Sequence, residues 1–370
     1  MVALFSEFKL KDITLKNRIA VPPMCQYNAI DGLANDWHLT HYSELARGGS
    51  GLVIVEATGV SPEGRITPGC LGLWNDSQAQ ELSKVAATIK KSGAVPGIQI
   101  AHAGRKASAN KPWEGDDHLP EDHAEAWQII GPSSIAFGKN LPRIPKEMNL
   151  EDISRVQQNF VDAAKRALDA GFEWLELHFA HGYLAQSFFS KHSNYRQDRY
   201  GQNLDGRSRF LLETMAKVRQ VWPEHLPLTA RFGVLEYDGQ DEETLQESIQ
   251  LVKRFKQEGL DLLNVSMGFS IPVTTTPWSE QGFMAPISKR IQQETGIKVA
   301  SSWCIDQAEV ANSVIENNQL DLVMIGRAML ANPHYPYTLA KQLNLENPSW
   351  VLPAPYAHWL SRYQLGRFTD

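Results

Sequence analysis

Cysteine is scarce in this 370-residue chain. The three cysteines, Cys25, Cys70 and Cys304, are far apart, odd in number and never in CxxC spacing. This pattern argues against a disulfide framework and against a structural zinc site. The sequence also contains no run of about 18 apolar residues, the length that a membrane-spanning helix needs. We therefore expect a protein with reduced thiols and no transmembrane segment.

Positive charge is not in excess either. Lys and Arg total 36 against 42 Asp and Glu, a net charge of −6. The chain therefore offers neither a basic face for nucleic acid nor a polybasic segment for a membrane surface. Near the first residue, Glu7 and Lys9 interrupt the apolar core that a signal peptide requires. These absences predict a cytoplasmic protein whose partner is a small-molecule substrate.

Eight short apolar runs recur along the chain, each followed by a helix-like stretch. Most of the runs are continuous rather than alternating, which is typical of parallel strands buried on both faces. Eight β-then-α units favour a single (β/α)8 TIM barrel over an open doubly wound sheet, and no GxGxxG follows an early strand. The predicted strands are 19–24, 52–57, 95–101, 173–179, 227–232, 261–266, 298–303 and 321–326.

Helix signals are clearest in segment 149–171. Asn149 is a suitable N-cap, apolar residues recur at helical spacing, and Gly171 ends the pattern. Segment 241–259 repeats this plan and also ends at a glycine. The remaining predicted helices, which follow the pattern less cleanly, are 206–221, 306–318 and 333–342.

Three segments fall outside the alternation of strands and helices. Residues 103–149 are rich in Pro, Gly, Asp and His, and a structureless loop of that length is unusual unless it is functional. We interpret this insertion as a lid, because barrel enzymes build their active sites at the carboxyl ends of the strands. Residues 9–19 alternate as a short hairpin does, and they are expected to close the bottom of the barrel. The chain is thus predicted to form one domain, 1–370, with a C-terminal extension at 345–370.

Polar and reactive side chains crowd the predicted carboxyl ends of the strands. His178 and His181 follow the fourth strand, and three interpretations remain open for this pair. They are metal ligands that need a third partner, a structural pair, or neutral imidazoles that each donate an N–H to a substrate oxygen. We favour the last interpretation. Tyr183, two residues further on, is then a candidate proton donor to carbon.

Several polar residues sit in apolar surroundings that only a ligand would explain. An unpaired Gln99 amide would cost about 1–3 kcal/mol to bury, so it should face a hydrogen-bonding heterocycle. Arg231, in LTARFG, requires an anion or an anion-forming ligand, and Gly326 with Arg327 suits a phosphate. Cys25 is either a small buried apolar group or a group that tunes a redox centre. FMN, a phosphorylated heterocycle that is anionic when reduced, meets all these demands.

Taken together, these motifs resemble the old yellow enzyme family of FMN-dependent ene-reductases, in its thermophilic-type branch. The resemblance covers essentially the whole chain. The motifs that carry it are PPMCQY (22–27), IQIAHAGRKAS (98–108), LELHFAHGY (175–183), LTARFG (228–233), DLVMIGRAML (321–330) and LPAPYAHWLSRY (352–363).

The resemblance implies an FMN-dependent NAD(P)H oxidoreductase with a ping-pong mechanism. Its substrates would be activated C=C bonds of α,β-unsaturated carbonyl or nitro compounds and related xenobiotics. His178 and His181 would hold the substrate oxygen, Tyr183 would donate the proton, and Cys25 would modulate the flavin potential. No metal is implied, and a homodimer or higher homo-oligomer is expected. The alternatives are a non-catalytic flavin-binding protein and a metal- or Lys-dependent barrel hydrolase or aldolase.

The same resemblance implies the binding residues. The substrate pocket would be lined by Tyr27 and Trp303, and Trp359 would reach an active site, in some related dimers across the interface. The implied FMN contacts are Pro22, Pro23, Met24, Cys25, Ala57, Gln99, Arg231, Trp303, Gly326 and Arg327.

Two segments depart from the family pattern. The family pattern YGGS…NR is replaced at 200–207 by YGQNLDGR, which lacks the second glycine. At 301–306 the chain has SSWCID, where relatives often have glycines close to the phosphate. We therefore expect an altered turn at the first segment and Cys304 close to the cofactor at the second.

Overall fold

The computed structural model describes residues 2–364 and 367–368. Eight parallel strands pair in chain order, and the last pairs with the first to close a barrel. This architecture confirms the predicted TIM barrel. The strands are β1 (Ile19–Val21), β2 (Leu52–Gly59), β3 (Val95–Ala101), β4 (Trp174–Phe179), β5 (Leu228–Gly233), β6 (Leu262–Ser266), β7 (Lys298–Ser301) and β8 (Leu322–Met324).

The first strand ends earlier than predicted for a simple chemical reason. Pro22 and Pro23 have no N–H to donate to a strand ladder, so pairing ends at Val21. Strands β7 and β8 also end two residues before their predicted limits, at Ser301 and Met324. The shortened ends release the residues that follow them to form the rim of the barrel.

Helices surround the barrel, and the predicted cap at Asn149 is present, because its side chain accepts the N–H of Asp152 at 2.8 Å. The last predicted helix begins two residues late, at Tyr335, since Pro333 and the extended Asn332 before it interrupt the chain. The helices are α1 (Asp36–Arg47), α2 (Asp76–Lys91), α3 (Leu150–Asp169), α4 (Leu184–Phe189), α5 (Leu204–Arg219), α6 (Asp241–Gln257), α7 (Ala285–Thr295), α8 (Ala308–Glu316), α9 (Arg327–Ala331), α10 (Tyr335–Gln342) and α11 (Ala354–Leu360). None of the helices in the described residues is both long and apolar enough to cross a membrane.

The amino end of the barrel is closed by the predicted hairpin. Strands Phe8–Leu10 and Ile13–Leu15 pair antiparallel. Phe8 and Leu15 are buried in one apolar cluster with Leu52, Trp174 and Leu262 of the barrel interior. The bottom of the barrel is therefore a packed core, and the carboxyl end of the strands is the place to look for a ligand site.

The insertion after β3 has structure of its own. It contains two 3₁₀ turns, Gly104–Lys106 and Pro112–Glu114, and the short paired strands Ile130–Gly131 and Lys146–Glu147. Ile129 of the insertion belongs to a small apolar cluster, against which Trp127 and Tyr183 pack. The insertion thus covers one side of the carboxyl end and supports a predicted site residue.

Candidate active site

The interior of the barrel changes from apolar to polar toward the carboxyl ends. Glu176 of β4 is fully buried, with an exposed fraction of 0%. Gln99 Nε2 donates to Glu176 Oε1 at 2.7 Å, and Asn264 Nδ2 donates to the other carboxylate oxygen at 3.0 Å. Burial raises the pKa of Glu176, while the nearby Arg231 and the two amide donors oppose the rise. Gln99 of β3, Glu176 of β4 and Asn264 of β6 thus form a polar layer beneath the mouth of the barrel. We call this layer the polar floor.

Arg231 stands above this floor without a full set of partners. Its Nη2 donates to Ser302 Oγ at 2.7 Å, and its guanidinium carbon is 5.6 Å from the centre of a Trp303 ring. The Nε atom is buried and has no hydrogen-bond partner among the described residues. A buried cation with an unused N–H donor can bind an anionic group.

A cavity of about 380 Å³ opens beside Arg231. Arg327 supplies a second cation to its wall. A Cβ at Gly326 would stand 3.2 Å from Met24 Sδ, so a side chain there would press on the wall. Because α9 is only five residues long, attraction of a phosphate depends on Arg327 more than on the helix dipole. The lining residues are Pro22, Pro23, Met24, Arg231, Trp278, Ser302, Trp303, Gly326 and Arg327.

These features fit FMN. The unused Arg231 donor suits the ring edge that becomes anionic on reduction, and the cavity with Arg327 suits a phosphate chain. Gln99 gives one amide hydrogen to Glu176 and keeps its second N–H and its oxygen for a ligand. Of the ten residues expected to contact FMN, seven line this cavity; Gln99, Cys25 and Ala57 lie outside that lining.

Cys25 belongs to a tightly held loop after β1. Burial raises the pKa of its thiol well above the ordinary value, so the thiol stays protonated at neutral pH. The Ala57 backbone and the Tyr27 side chain oppose this rise. Glu56 holds the loop from below by accepting the N–H of Gln26 at 2.8 Å. Cys25 is therefore a neutral group in a fixed position and not a thiolate nucleophile.

His178, His181 and Tyr183 come together after β4. The ring centres of His178 and His181 are 4.9 Å apart, and those of His178 and Tyr183 are also 4.9 Å apart. The N–H of Ala180 donates to His178 Nδ1 at 3.3 Å, which leaves the proton of a neutral ring on Nε2. Burial, followed by repulsion from Arg231, lowers the pKa of both histidines well below the ordinary value.

His181 has a partner that the sequence did not predict. Its Nε2 lies 2.8 Å from Ser266 Oγ, and the same hydroxyl accepts Trp303 Nε1 at 3.1 Å. A substrate oxygen that binds His181 through Nε2 must therefore displace Ser266. Within residues 2–364 and 367–368, no hydrogen bond to His178 Nε2 is present, so the two imidazoles are not equivalent.

Sequence reasoning missed the loop after β6. Phe269 and Trp278 of this loop stack with ring centres 6.2 Å apart, and Trp278 lies 5.5 Å from Trp303. Phe269 also contacts His181, at 5.8 Å between ring centres. Trp278, an aromatic residue in a Pro- and Thr-rich segment, was the signal that could have indicated this loop. Such a segment, however, has no periodicity from which its fold can be predicted.

The two departures from the family pattern form turns with left-handed residues. Gln202 has φ +66° and Cys304 has φ +47°, a region that favours glycine. The Cys304 thiol donates to the carbonyl of Trp278 at 3.4 Å and does not line the cavity. Its neighbours Ser302 and Trp303 do line the cavity, and the approach of Cys304 to the cofactor stays a prediction.

Trp359 is not brought to this cluster within one chain. It is exposed on α11, which packs on the 3₁₀ turn Pro348–Val351. Val351 of that turn lies against Gly49, immediately before β2, at the amino end of the barrel. Its expected role in a substrate pocket therefore stays a prediction that requires a second chain.

A metal centre has no support in the geometry of the two histidines. In residues 2–364 and 367–368, no group of three or more His, Cys, Asp or Glu side chains has a metal-binding arrangement. The partners of His178 and His181 are a backbone N–H and a serine hydroxyl, which are hydrogen-bonding groups.

Comparison with known proteins defines the class. The chain matches the NADH:flavin oxidoreductase / NADH oxidase family over residues 3–346 and belongs to that family. An NADPH dehydrogenase of Geobacillus thermodenitrificans is 40% identical over 345 residues, 93% of this chain and 95% of that protein. Morphinone reductase superposes with a TM-score of 0.77 at 23% identity, over 92% of this chain and 89% of its own. The old yellow enzyme homologue from Zymomonas mobilis has a TM-score of 0.76 at 22% identity, over 92% and 93%.

The predicted family and enzyme class are thereby confirmed. The protein is an NAD(P)H-dependent flavin oxidoreductase of the old yellow enzyme family, and FMN is its cofactor.

Proposed function

We propose that this enzyme reduces the activated C=C bond of α,β-unsaturated carbonyl or nitro compounds, with His178, His181 and Tyr183 as its substrate-handling residues. The observation that carries the proposal is the pairing of a neutral, buried His178 and a neutral, half-buried Tyr183 with ring centres 4.9 Å apart. An oxygen-binding donor and a proton-holding phenol side by side suit addition of hydride and proton across a polarised double bond.

His178 polarises the substrate in this proposal. Its Nε2–H donates to the carbonyl or nitro oxygen, on which negative charge develops during the reaction. A donor of this kind, held in place before reaction, typically contributes about 3–4 kcal/mol of transition-state stabilisation. Because burial and Arg231 keep the ring neutral, His178 acts as a hydrogen-bond donor and leaves protonation of carbon to another group.

Tyr183 holds the proton for the α-carbon. Burial raises the pKa of its hydroxyl well above the ordinary value, so the phenol remains protonated until the substrate becomes more basic. FMN, when bound by Gln99, Arg231 and the cavity residues Pro22, Pro23, Met24, Gly326 and Arg327, supplies the hydride that it takes from NAD(P)H. Cys25 and Ala57 would border its ring.

The remaining walls of the substrate pocket are assigned to Tyr27, Trp303 and a partner subunit's Trp359. Tyr27 packs edge-on against Trp113 with ring centres 5.8 Å apart, and Trp303 Nε1 donates to Ser266 Oγ. The exposure of Trp359, together with Trp350 and Tyr356 nearby in the chain, supports a homodimer or larger homo-oligomer in which α11 meets another chain. We also propose that the whole chain acts as one domain and that the insertion after β3 serves as its lid.

Purification of the protein tests the proposal directly. We expect a yellow protein that releases FMN on denaturation and that reduces 2-cyclohexenone and maleimide with NADPH or NADH under anaerobic conditions. A colourless protein that does not take up FMN would contradict the assignment. Bound FMN without turnover of either alkene would favour a flavin-binding protein without catalysis.

A further inference from the structure

Lys106 connects the loops that carry the substrate-handling residues. It ends the 3₁₀ turn Gly104–Lys106 after β3 and is partly buried. Its Nζ donates at 2.8 Å to the carbonyl of His181, after β4, and at 2.8 Å to the carbonyl of Phe269, after β6. One side chain therefore bonds to two loops that belong to different strands.

The ammonium also contacts two aromatic rings. It lies 4.0 Å from the ring centre of Phe137, in the insertion, and 5.8 Å from that of Tyr183. A cation at these distances is attracted by the ring faces. Lys106 thus joins the insertion after β3, to which it belongs, to the loops after β4 and β6, close to Tyr183.

The backbone of the turn at His181 and Gly182 requires stabilisation of this kind. His181 and Gly182 both have left-handed conformations, with φ of +62° and +67°. For a residue with a side chain, this conformation costs roughly 1–2 kcal/mol. A Cβ at Gly182 would lie 2.3 Å from the carbonyl oxygen of Phe269, so the two loops are in close contact. Without a shared donor, the carbonyls of His181 and Phe269 would both lose the partner that holds the turn.

We propose that Lys106 is a positioning residue that holds the His181–Tyr183 turn in the conformation required to bind and protonate the substrate. This inference rests on the proposed function of His178, His181 and Tyr183. Burial and the neighbouring Arg105 lower the pKa of Lys106 to about 7. The neutral amine still has two N–H donors, one for each carbonyl, so both hydrogen bonds persist in either protonation state.

The test compares two lysine variants of the FMN-loaded enzyme. Lys106→Met keeps most of the apolar stem and removes the donors. Lys111→Met is the matched control, because Lys111 lies in the same insertion and its ammonium pairs with Glu114 at 3.4 Å, away from Tyr183. The readouts are FMN content, the flavin midpoint potential, the Kd of 4-hydroxybenzaldehyde from its flavin absorbance change, and the alkene half-reaction at saturating 2-cyclohexenone.

We expect Lys106→Met to weaken 4-hydroxybenzaldehyde binding and to slow the alkene half-reaction by about tenfold or more, with FMN content and midpoint potential unchanged. Lys111→Met should remain within about twofold of the native enzyme in every readout. A Lys106→Met enzyme that also remains within that range would overturn the inference. If the native enzyme itself neither binds the phenol nor reduces the alkene, the proposed function fails instead.

A second variant decides the case in which Lys106→Met loses FMN or stability. Lys106→Ala removes the atoms that propylammonium contains, so the added amine can occupy the space of the lost side chain. Restoration of phenol binding by propylamine, but not by 1-propanol, supports the positioning role because only the amine supplies a hydrogen-bond donor for each of the two carbonyls. Absence of any restoration overturns it.

Discussion

Gln99 Nε2 donates a hydrogen bond of 2.7 Å to Glu176 Oε1 inside the barrel. This bond orients the amide and places a buried carboxylate beneath the residue expected to meet the flavin. Asn264 donates to the other oxygen, so both carboxylate oxygens have a donor. Glu176 also offsets the positive charge of Arg231. Without this carboxylate, the buried guanidinium would have no opposite charge near it in the barrel interior.

Substitution of Glu176 by Gln should raise the flavin midpoint potential. Loss of the negative charge leaves Arg231 uncompensated, and a more positive surrounding favours the anionic reduced ring. A rise of about 30 mV corresponds to about 1.4 kcal/mol for a two-electron couple. Glu213→Gln is the control and should not change the potential, because this half-buried carboxylate of α5 accepts from Gln157 and Tyr200 and does not line the cavity. An unchanged or lower potential in Glu176→Gln would show that the carboxylate does not act on the flavin.

Substitution of Tyr183 by Phe should separate the two half-reactions. Loss of the proton donor should slow alkene reduction by about a hundredfold or more, while reduction of the flavin by NADPH should remain nearly native because no proton goes to carbon in that step. Stopped-flow measurement of each half-reaction checks the result, with the exposed Tyr195→Phe as control. Equal losses in both half-reactions would remove the proton-donor role.

The barrel and part of the site could be predicted because the residue types of the strands indicate that they are buried. Continuous apolar runs predicted the eight strands, and Gln99 and Arg231 were conspicuous as polar residues within such runs. Glu176 carried the same signal in LELHF and was overlooked beside the histidines. Lys106 and Phe269 could not be predicted, because their roles depend on close contact between loops after different strands. The left-handed conformation of His181 was likewise not visible, since nothing in its residue type requires it.

Substitution of His178 by Ala should weaken the binding of phenolic ligands. A hydrogen bond to a charged oxygen is worth about 1.5–3 kcal/mol, which corresponds to a loss of about 10- to 100-fold in affinity. The flavin midpoint potential should change little, so the effect is on ligand binding. Absorbance titration with 4-hydroxybenzaldehyde measures the change, and the exposed His358→Ala is the control. Native affinity in His178→Ala would refute its oxygen-binding role.

Burial of histidine should make the fold sensitive to acid. Burial lowers the pKa of His38 and His41 to about 4 from 6.5, so between these values the unfolded chain binds protons that the folded chain does not. The free energy of unfolding should fall on acidification by up to about 1.4 kcal/mol per pH unit for each histidine.

Glu56 acts with the opposite sign, and its substitution tests the account. Burial raises its pKa to about 7 from 4.5, so the folded chain holds a proton that the unfolded chain releases, and Glu56 costs stability as the pH rises through that range. In Glu56→Gln this opposing effect is absent. When the pH falls from about 6.5 to about 4.5, the free energy of unfolding should then decrease more steeply than in the native protein, by up to about 1.4 kcal/mol per pH unit. Urea unfolding at several pH values measures both slopes. Equal slopes would mean that Glu56 is ionised throughout this range, which would require more stabilising partners than the Gln26 N–H and the Tyr42 hydroxyl provide.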